Sequence, residues 1–359
     1  MFMRGNDIVQ PSMFYQIDLE SRIPAAHPLR KIKAIADQAL RRMDRAFDAV
    51  YSEHGRASIP PEQLMRALIL QMLYSIRSER LLVEQIDFSL LFRWFVGLTV
   101  DEGIWNHATF SKNRDRFTEG ELFHRFMAEI VEEARRHQLL SSEHFSVDGT
   151  LLEAWASQKS FQRKDGTGTK PGAGRNGTRN FHEEQRSNDT HESTTDPESR
   201  LCKKSRGDAS RLAYQGNIVI ENRNGLVVAA EAVTPDGTTE RTSALRLLRT
   251  LPRRRRATVA ADKGYDATSF IHGVRALGMT PHVAAKSKGS ALTRRTTRHL
   301  TYAISQVARK RVEEPFGWGK SIAHLRKLKH RGRQLVDAIF VFTMATYNVV
   351  RLSRLVPVA

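Results

Sequence analysis

The chain has 359 residues, 40% of them hydrophobic, which is enough for one large domain or two and excludes a wholly disordered chain. Its single cysteine, Cys202, excludes a disulfide scaffold and a cysteine-built zinc site and fits a reducing compartment. The formal charge of +18 is concentrated: residues 250–359 carry 22 basic and 5 acidic side chains, while residues 1–140 carry 19 of each.

A generically basic surface would account for that excess, but so one-sided a field is also what phosphate neutralisation uses. The longest apolar stretches are interrupted by Arg93, Gly97, Thr343, Thr346 and Asn348, and the first residues, MFMRGNDIVQP, lack a signal-peptide apolar segment. The expectation is a cytoplasmic, polyanion-seeking protein without a membrane span.

Residues 1–140 read as a helical N-terminal domain. Pro28–Tyr51 carries Leu29, Ile32, Ile35, Ala36, Leu40, Met43, Phe47 and Val50 at close to helical spacing. Ser58-Ile-Pro-Pro-Glu opens the next helix, with Leu64, Leu68, Ile69 and Met72 on one face. Helices follow from Ser78, over Leu90–Leu98, and from Thr109-Phe-Ser-Lys, capped by Thr109 or Ser111. Short helices with tight connections suit a helix-turn-helix-like DNA-binding module, or an ordinary helical bundle. In the first case Arg77, Arg80, Lys112, Arg114 and Arg116 are the DNA-facing candidates.

Residues 141–359 change character. His144-Phe-Ser-Val-Asp-Gly-Thr predicts a strand that ends in a polar turn. Ser157–Arg200 then contains no Ile, Leu, Val or Met, and residues 157–210 are expected to form a disordered insertion. Two β-rich runs flank Asn224-Gly225 as a hairpin. Thr242–Leu251 reads as helix, Ala257–Ala261 as a buried strand, Thr268–Leu277 as helix and His282–Ala285 as strand. Helix is expected over 302–320 until Pro315 disturbs it, and again over Asp337–Leu355. The pattern predicts an α/β domain with a mixed sheet.

Asp148 and Asp262 each terminate an apolar strand, the place where ligands and catalytic groups gather in α/β sheets. A carboxylate beside such a run is costly to bury, and a divalent cation would offset that cost. The alternative makes both acids turn-formers, as Asp-Gly-Thr often is. The third element is Arg309-Lys-Arg-Val-Glu313-Glu314-Pro-Phe-Gly-Trp-Gly-Lys320. Here Glu313 either pairs with Arg309 one turn earlier or binds metal while Arg309 and Lys320 contact phosphates. Trp318 either packs in the core or stacks on an unpaired base. Arg253, Arg254, Arg255 and Arg256, just before the second strand, are further phosphate-contact candidates, or a solvated loop.

Asp148-Gly-Thr, Asp262-Lys-Gly-Tyr265 and Arg309-x3-Glu313-x6-Lys320 together resemble the DDE signature of bacterial insertion-sequence transposases. The likeness is to the insertion-sequence-five type of the four/five superfamily. The N-terminal text Ser58-Ile-Pro-Pro-Glu-Gln-Leu, Leu73-Tyr-Ser-Ile-Arg-Ser-Glu-Arg and Phe92-Arg-Trp-Phe-Val-Gly-Leu is similar to that family's helical domain. One departure stands out: where the family often has Tyr three residues before the Arg, this chain has Gln306, with Tyr302 a turn away.

The resemblance implies an RNase H-like catalytic domain and cut-and-paste transposition. It makes Asp148, Asp262 and Glu313 the catalytic, metal-binding triad for two Mg²⁺ (or Mn²⁺) ions. Arg309, Lys320 and Lys263 become DNA contacts, and Glu313 is chosen over Glu314 because of its spacing from Arg309 and Lys320. The implied partners are double-stranded DNA, as terminal inverted repeats and as target, and a second copy of the chain in a synaptic homodimer. A nuclease with the same core, or an inactive DNA-binding copy, is the alternative.

Overall fold

The computed structural model describes residues 18–51, 58–165, 186–203, 207–252 and 256–356. The first part is helical: α1 (Leu19–Arg22), α2 (Pro28–Arg42), α3 (Asp44–Asp48), α4 (Pro61–Leu73), α5 (Glu79–Phe88), α6 (Leu90–Val96), α7 (Ala108–Glu119) and α8 (Leu122–Arg136). Pro28 opens α2, where its missing N–H costs nothing, and His27 Nδ1 accepts from Leu29 N. The apolar period through Val50 does not make one helix, because the backbone breaks at Met43. Met43 and Phe47 stay buried across the break. Neither Thr109 nor Ser111 caps α7; Asn106 Oδ1 accepts from Ala108 N at 2.9 Å instead.

The second part holds β1 (His144–Glu153), β2 (Phe161–Arg163), β3 (His191–Ser193), β4 (Arg200–Cys202), β5 (Arg211–Glu221), β6 (Val227–Val233), α9 (Thr239–Thr250), β7 (Thr258–Ala261), α10 (Thr268–Ala276), β8 (Thr280–Val283), α11 (Arg294–Thr297), α12 (Leu300–Ala308), α13 (Glu313–Ser321) and α14 (Arg333–Leu355). Strand β1 lies between an antiparallel β5 and a parallel β7, with β8 parallel beyond β7. On its far side β5 pairs antiparallel with β6 along most of its length and with β4 at its start. An antiparallel meander followed by two parallel strands is the RNase H-like arrangement, so the mixed α/β fold expected from the sequence is the fold found.

The hairpin at Asn224-Gly225 closes around a buried carboxylate. Glu221, fully buried, accepts from the backbone N–H groups of Ser141, Arg223, Asn224 and Leu226, and Gly225 takes a φ of 70° that favours glycine. Pro315 does not end the expected helix. It lies in the first turn of α13, after a 3₁₀ turn at Arg309–Val312, where no intrahelical donor is required.

The stretch expected to lack structure over 157–210 is corrected at its described ends. Strands β2 and β3 pair, and β4 extends the sheet along β5. What holds these ends is polar: Ser193 and Ser199 are fully buried and Asp196 nearly so, and Asp196 Oδ1 accepts from Tyr214 Oη at 2.6 Å and Gly332 N at 3.2 Å. Residues 166–185 and 204–206 of that stretch lie outside the described residues.

Helix α14 joins the two parts. It is long and apolar enough by length and composition to cross a membrane, contrary to the expectation from the interrupted apolar runs, but most of it is buried within the protein. It packs on α2, α8 and β6. Its side chains also satisfy the outer backbone of β6. Asn348 Oδ1 accepts from Val227 N and its Nδ2 donates to Val227 O, while Asp337 Oδ1 accepts from Ala232 N. An edge strand that would otherwise expose backbone donors and acceptors is thereby closed. Phe342 sits fully buried with its ring 5.0 Å from Phe123 and 5.4 Å from Phe126, in a core that runs unbroken from the helical part to β6. Phe342→Ala is expected to lower unfolding free energy by about 3–5 kcal/mol, read as a fall in the denaturant midpoint; an unchanged midpoint would refute the shared core.

Candidate active site

The hydrogen-bond register between β1 and β7 pairs His144 with Thr258, Phe145 with Val259 and Ser146 with Ala260. The same offset carried forward sets Asp148 beside Asp262, at the carboxyl end of β7. Apolar burial drives this pairing, since Phe145, Val147, Val259 and Ala261 belong to one core. Asp262 follows the end of β7 as expected, but Asp148 does not end its strand: it lies inside β1, which continues to Glu153 because the polar Gly149-Thr150 pairs on with β5.

Asp148 is half-buried, and among the described residues its carboxylate accepts only from the adjacent Gly149 N, at 2.9 Å. Burial pushes its carboxyl up to about 7 against the lowering effect of that bond, and the negative charges of Glu240, Asp262 and Glu313 push the same way. Asp262 is exposed and caps a short turn, accepting from Gly264 N at 2.7 Å. Glu313 is exposed at the first residue of α13. Its neighbour Glu314 points elsewhere, to Arg351 Nη1 at 2.9 Å. Among the described residues Arg309 and Glu313 form no ion pair.

The candidate cations divide. Lys320 Nζ donates to Thr150 Oγ1 at 2.5 Å, which holds it two residues beyond Asp148. Arg309 is half-buried, and its Nε has no hydrogen-bond partner among the described residues. Lys263 is exposed next to Asp262, and Arg256 is exposed; Arg253, Arg254 and Arg255 lie outside the described residues. Lys112 is exposed on α7, whereas Arg114 on the same helix is half-buried and paired with Glu79. Gln306 and Tyr302 serve the fold: Gln306 Nε2 donates to His282 O, and Tyr302 Oη accepts from Ala285 N and donates to Val283 O. Trp318 packs edge-on against Tyr347, with ring centres 5.9 Å apart.

Sequence reasoning missed Glu240. It sits in the first turn of α9, which begins at Thr239, three residues before the expected start. Burial raises its carboxyl, and the charge of Asp262 adds to this, against a smaller opposing effect of Arg241. The sequence signal was an acid directly after Thr238-Thr239, a common helix opening.

No ion pair ties Asp148, Asp262, Glu313 or Glu240 to a Lys or Arg among the described residues. As they stand, no three His, Cys, Asp or Glu side chains there converge tightly enough to hold one ion. In kind, however, the donor set fits a hard divalent cation: several carboxylates of like charge, plus two buried polar atoms without partners, Asn217 Oδ1 and Tyr265 Oη.

Residues 141–349 match the family described as the transposase DDE domain, and residues 17–116 match a transposase domain (DUF772). No curated protein matches the chain. Among solved structures it is similar to the piggyBac transposase synaptic complex with hairpin DNA, at 7% identity over 91% of this chain and 75% of that chain, with a TM-score of 0.44. It is also similar to the Mos1 strand transfer complex, at 12% identity over 81% and 86% with a TM-score of 0.21, and to the Mos1 mariner paired end complex with Mn, at 13% identity over 82% and 88% with a TM-score of 0.21.

The raised Asp148 carboxyl makes stability depend on pH. Its proton is held more tightly in the folded state (about 7) than at the ordinary value of 3.8, so this contribution is complete below 3.8 and is lost as pH rises to about 7. In chelator, the Asp148→Asn protein is expected to overtake wild type in melting temperature across that window; parallel curves would refute the placement of Asp148.

Proposed function

Because the chain belongs to the transposase DDE family, we propose that Asp148, Asp262 and Glu313 are the residues with which it cuts DNA at terminal inverted repeats and joins the freed 3′-hydroxyl to target DNA. The observation that carries this reading is the register that sets Asp148 beside Asp262, with the charge of Glu313 felt at Asp148.

The three carboxylates would hold Mg²⁺ or Mn²⁺. Such ions activate the attacking oxygen and stabilise charge on the leaving one. The chain's own residues do the rest. Asp148, with a carboxyl near 7, gives up its proton on becoming a ligand. Lys320, steadied by Thr150, presents a point charge to a phosphate next to the scissile bond. Arg309, with an unsatisfied Nε, and exposed Lys263 flank it.

In the first step water attacks the phosphodiester at the element end and a 3′-hydroxyl leaves. In the second that hydroxyl attacks a target phosphodiester and displaces another 3′-oxygen. Two ends must be held together for coordinated joining, so the working form is a homodimer on DNA.

The test is a labelled duplex carrying the terminal inverted repeat of the chain's own element, with Mg²⁺ or with EDTA. Metal-dependent cleavage and joined products are expected from wild type. Asp148→Asn, Asp262→Asn and Glu313→Gln are expected to lose about 10²–10³-fold or more in cleavage, while Glu314→Gln stays near wild type. Cleavage without joined products would identify a nuclease, loss in Glu314→Gln alone would move the third ligand, and a catalytic complex containing one copy would remove the dimer.

A further inference from the structure

We propose that Glu240 is a fourth carboxylate ligand of the catalytic cation, with the Asn217 side-chain oxygen facing the same site; this rests on the triad reading above. The argument starts at Gly149, the residue after Asp148. A Cβ at that position would lie 2.6 Å from Glu240 Oε1, 2.8 Å from Asn217 Oδ1 and 2.9 Å from Gln215 Nε2. Three polar atoms, two from β5 and one from α9, thus converge on one point beside the chain that carries Asp148, and only glycine leaves room for them. Two of the three are oxygens. Asn217 is 1% exposed and its Oδ1 has no hydrogen-bond partner, its amide nitrogen being turned to Gln215 O.

A buried acceptor with no donor, set close to a carboxylate, is unfavourable unless something positive comes between them. The neighbouring chemistry points the same way. The charge of Glu240 bears on Asp148 and on Tyr265, and that of Asp262 bears on Glu240. Tyr265, 1% exposed, brings a second buried oxygen without a partner to the same group. No ion pair among the described residues relieves Glu240.

An ordinary structural carboxylate at a helix N-terminus would take a backbone N–H of its own turn or a basic partner. Among the described residues Glu240 forms neither bond. Carboxylates of like charge spread apart when nothing positive lies among them, and a divalent cation draws them together. Glu240 then completes the oxygen shell from the α9 side, opposite Glu313 on α13.

The test uses the full-length protein without DNA and Mn²⁺ alone as the probe, with binding followed by the electron-paramagnetic-resonance signal of free Mn²⁺ and by the shift in melting temperature. Asp148→Asn, Glu240→Gln and Glu314→Gln are compared with wild type. Glu240→Gln is expected to bind Mn²⁺ about ten-fold or more weakly and to lose most of the Mn²⁺-induced shift. In EDTA it is expected to melt at or above wild type, because its amide can donate to Asn217 Oδ1 and one repelling charge is gone. Glu314→Gln is expected to match wild type in both.

Wild-type Mn²⁺ affinity in Glu240→Gln, with affinity lost in Asp148→Asn, would overturn the fourth ligand and leave the triad standing. Unchanged affinity in Asp148→Asn as well would overturn the triad reading itself. A Glu240→Gln protein that melts below wild type in EDTA yet binds Mn²⁺ normally would make Glu240 a structural residue and overturn the proposal.

Discussion

The parallel ladder between β1 and β7 is the constraint from which the site follows. These strands are far apart in sequence and carry little polar information of their own, yet Val147, Val259, Ala260 and Ala261 are almost fully buried and fix the register. Once the register is fixed, Asp148 and Asp262 have no choice but to stand side by side. Left to themselves two carboxylates would separate, so apolar burial of the strands holds them against their repulsion. Burial is the main cause of the raised Asp148 carboxyl, about 7, and the charges of Glu240, Asp262 and Glu313 add to it. Local electrostatics here work against stability, which is the usual mark of a place where chemistry is done.

The third side of the site depends on α14. That helix is anchored to β6 by Asn348 and Asp337 and packed on α8 and α2, so the sheet and the helical part share one core. Helix α13 leans on it, with Trp318 against Tyr347 and Glu314 tied to Arg351. The tie occupies Glu314 on the α14 side of the helix and leaves its neighbour Glu313 exposed.

The sequence made part of this legible and hid the rest for physical reasons. Asp262 could be read at the end of β7 because an apolar run followed at once by a carboxylate has few bland explanations, whereas the Asp-Gly-Thr after Val147 was misread as a turn: β1 continues through it, paired with β5. Glu313 came only through resemblance, since Arg309 four residues earlier offered an equally good local partner. Glu240 was invisible because the helix containing it was placed three residues late, leaving the acid in a loop. The ends of the 157–210 stretch were misread because aliphatic content was taken as the test of order. There the packing is built instead from Ser193, Asp196, Ser199 and Tyr214, whose hydrogen bonds replace a hydrophobic core. Charge showed where the basic residues lie but not what they touch: Arg114 is taken up by Glu79, while Lys320 is held at the end of β1.

The concentration of basic residues in the last third of the chain has a further electrostatic meaning. Of the 5 acids after residue 249, Asp262 and Glu313 both act on Asp148 through their charge, so the basic third carries a local negative centre. On the proposed reading, a phosphodiester drawn in by Lys320 and Lys263 meets that centre with the wrong sign. Cation and DNA each relieve the repulsion that the other would suffer, because the cation neutralises carboxylates that would repel phosphate and the phosphate oxygens complete the cation's shell. Two ligands linked in this way bind with positive coupling, and by reciprocity DNA must raise the affinity for the cation by the same factor that the cation raises the affinity for DNA. With Asp148, Asp262 and Glu313 as the proposed ligands, protein alone would therefore hold Mg²⁺ or Mn²⁺ more weakly than its DNA complex would.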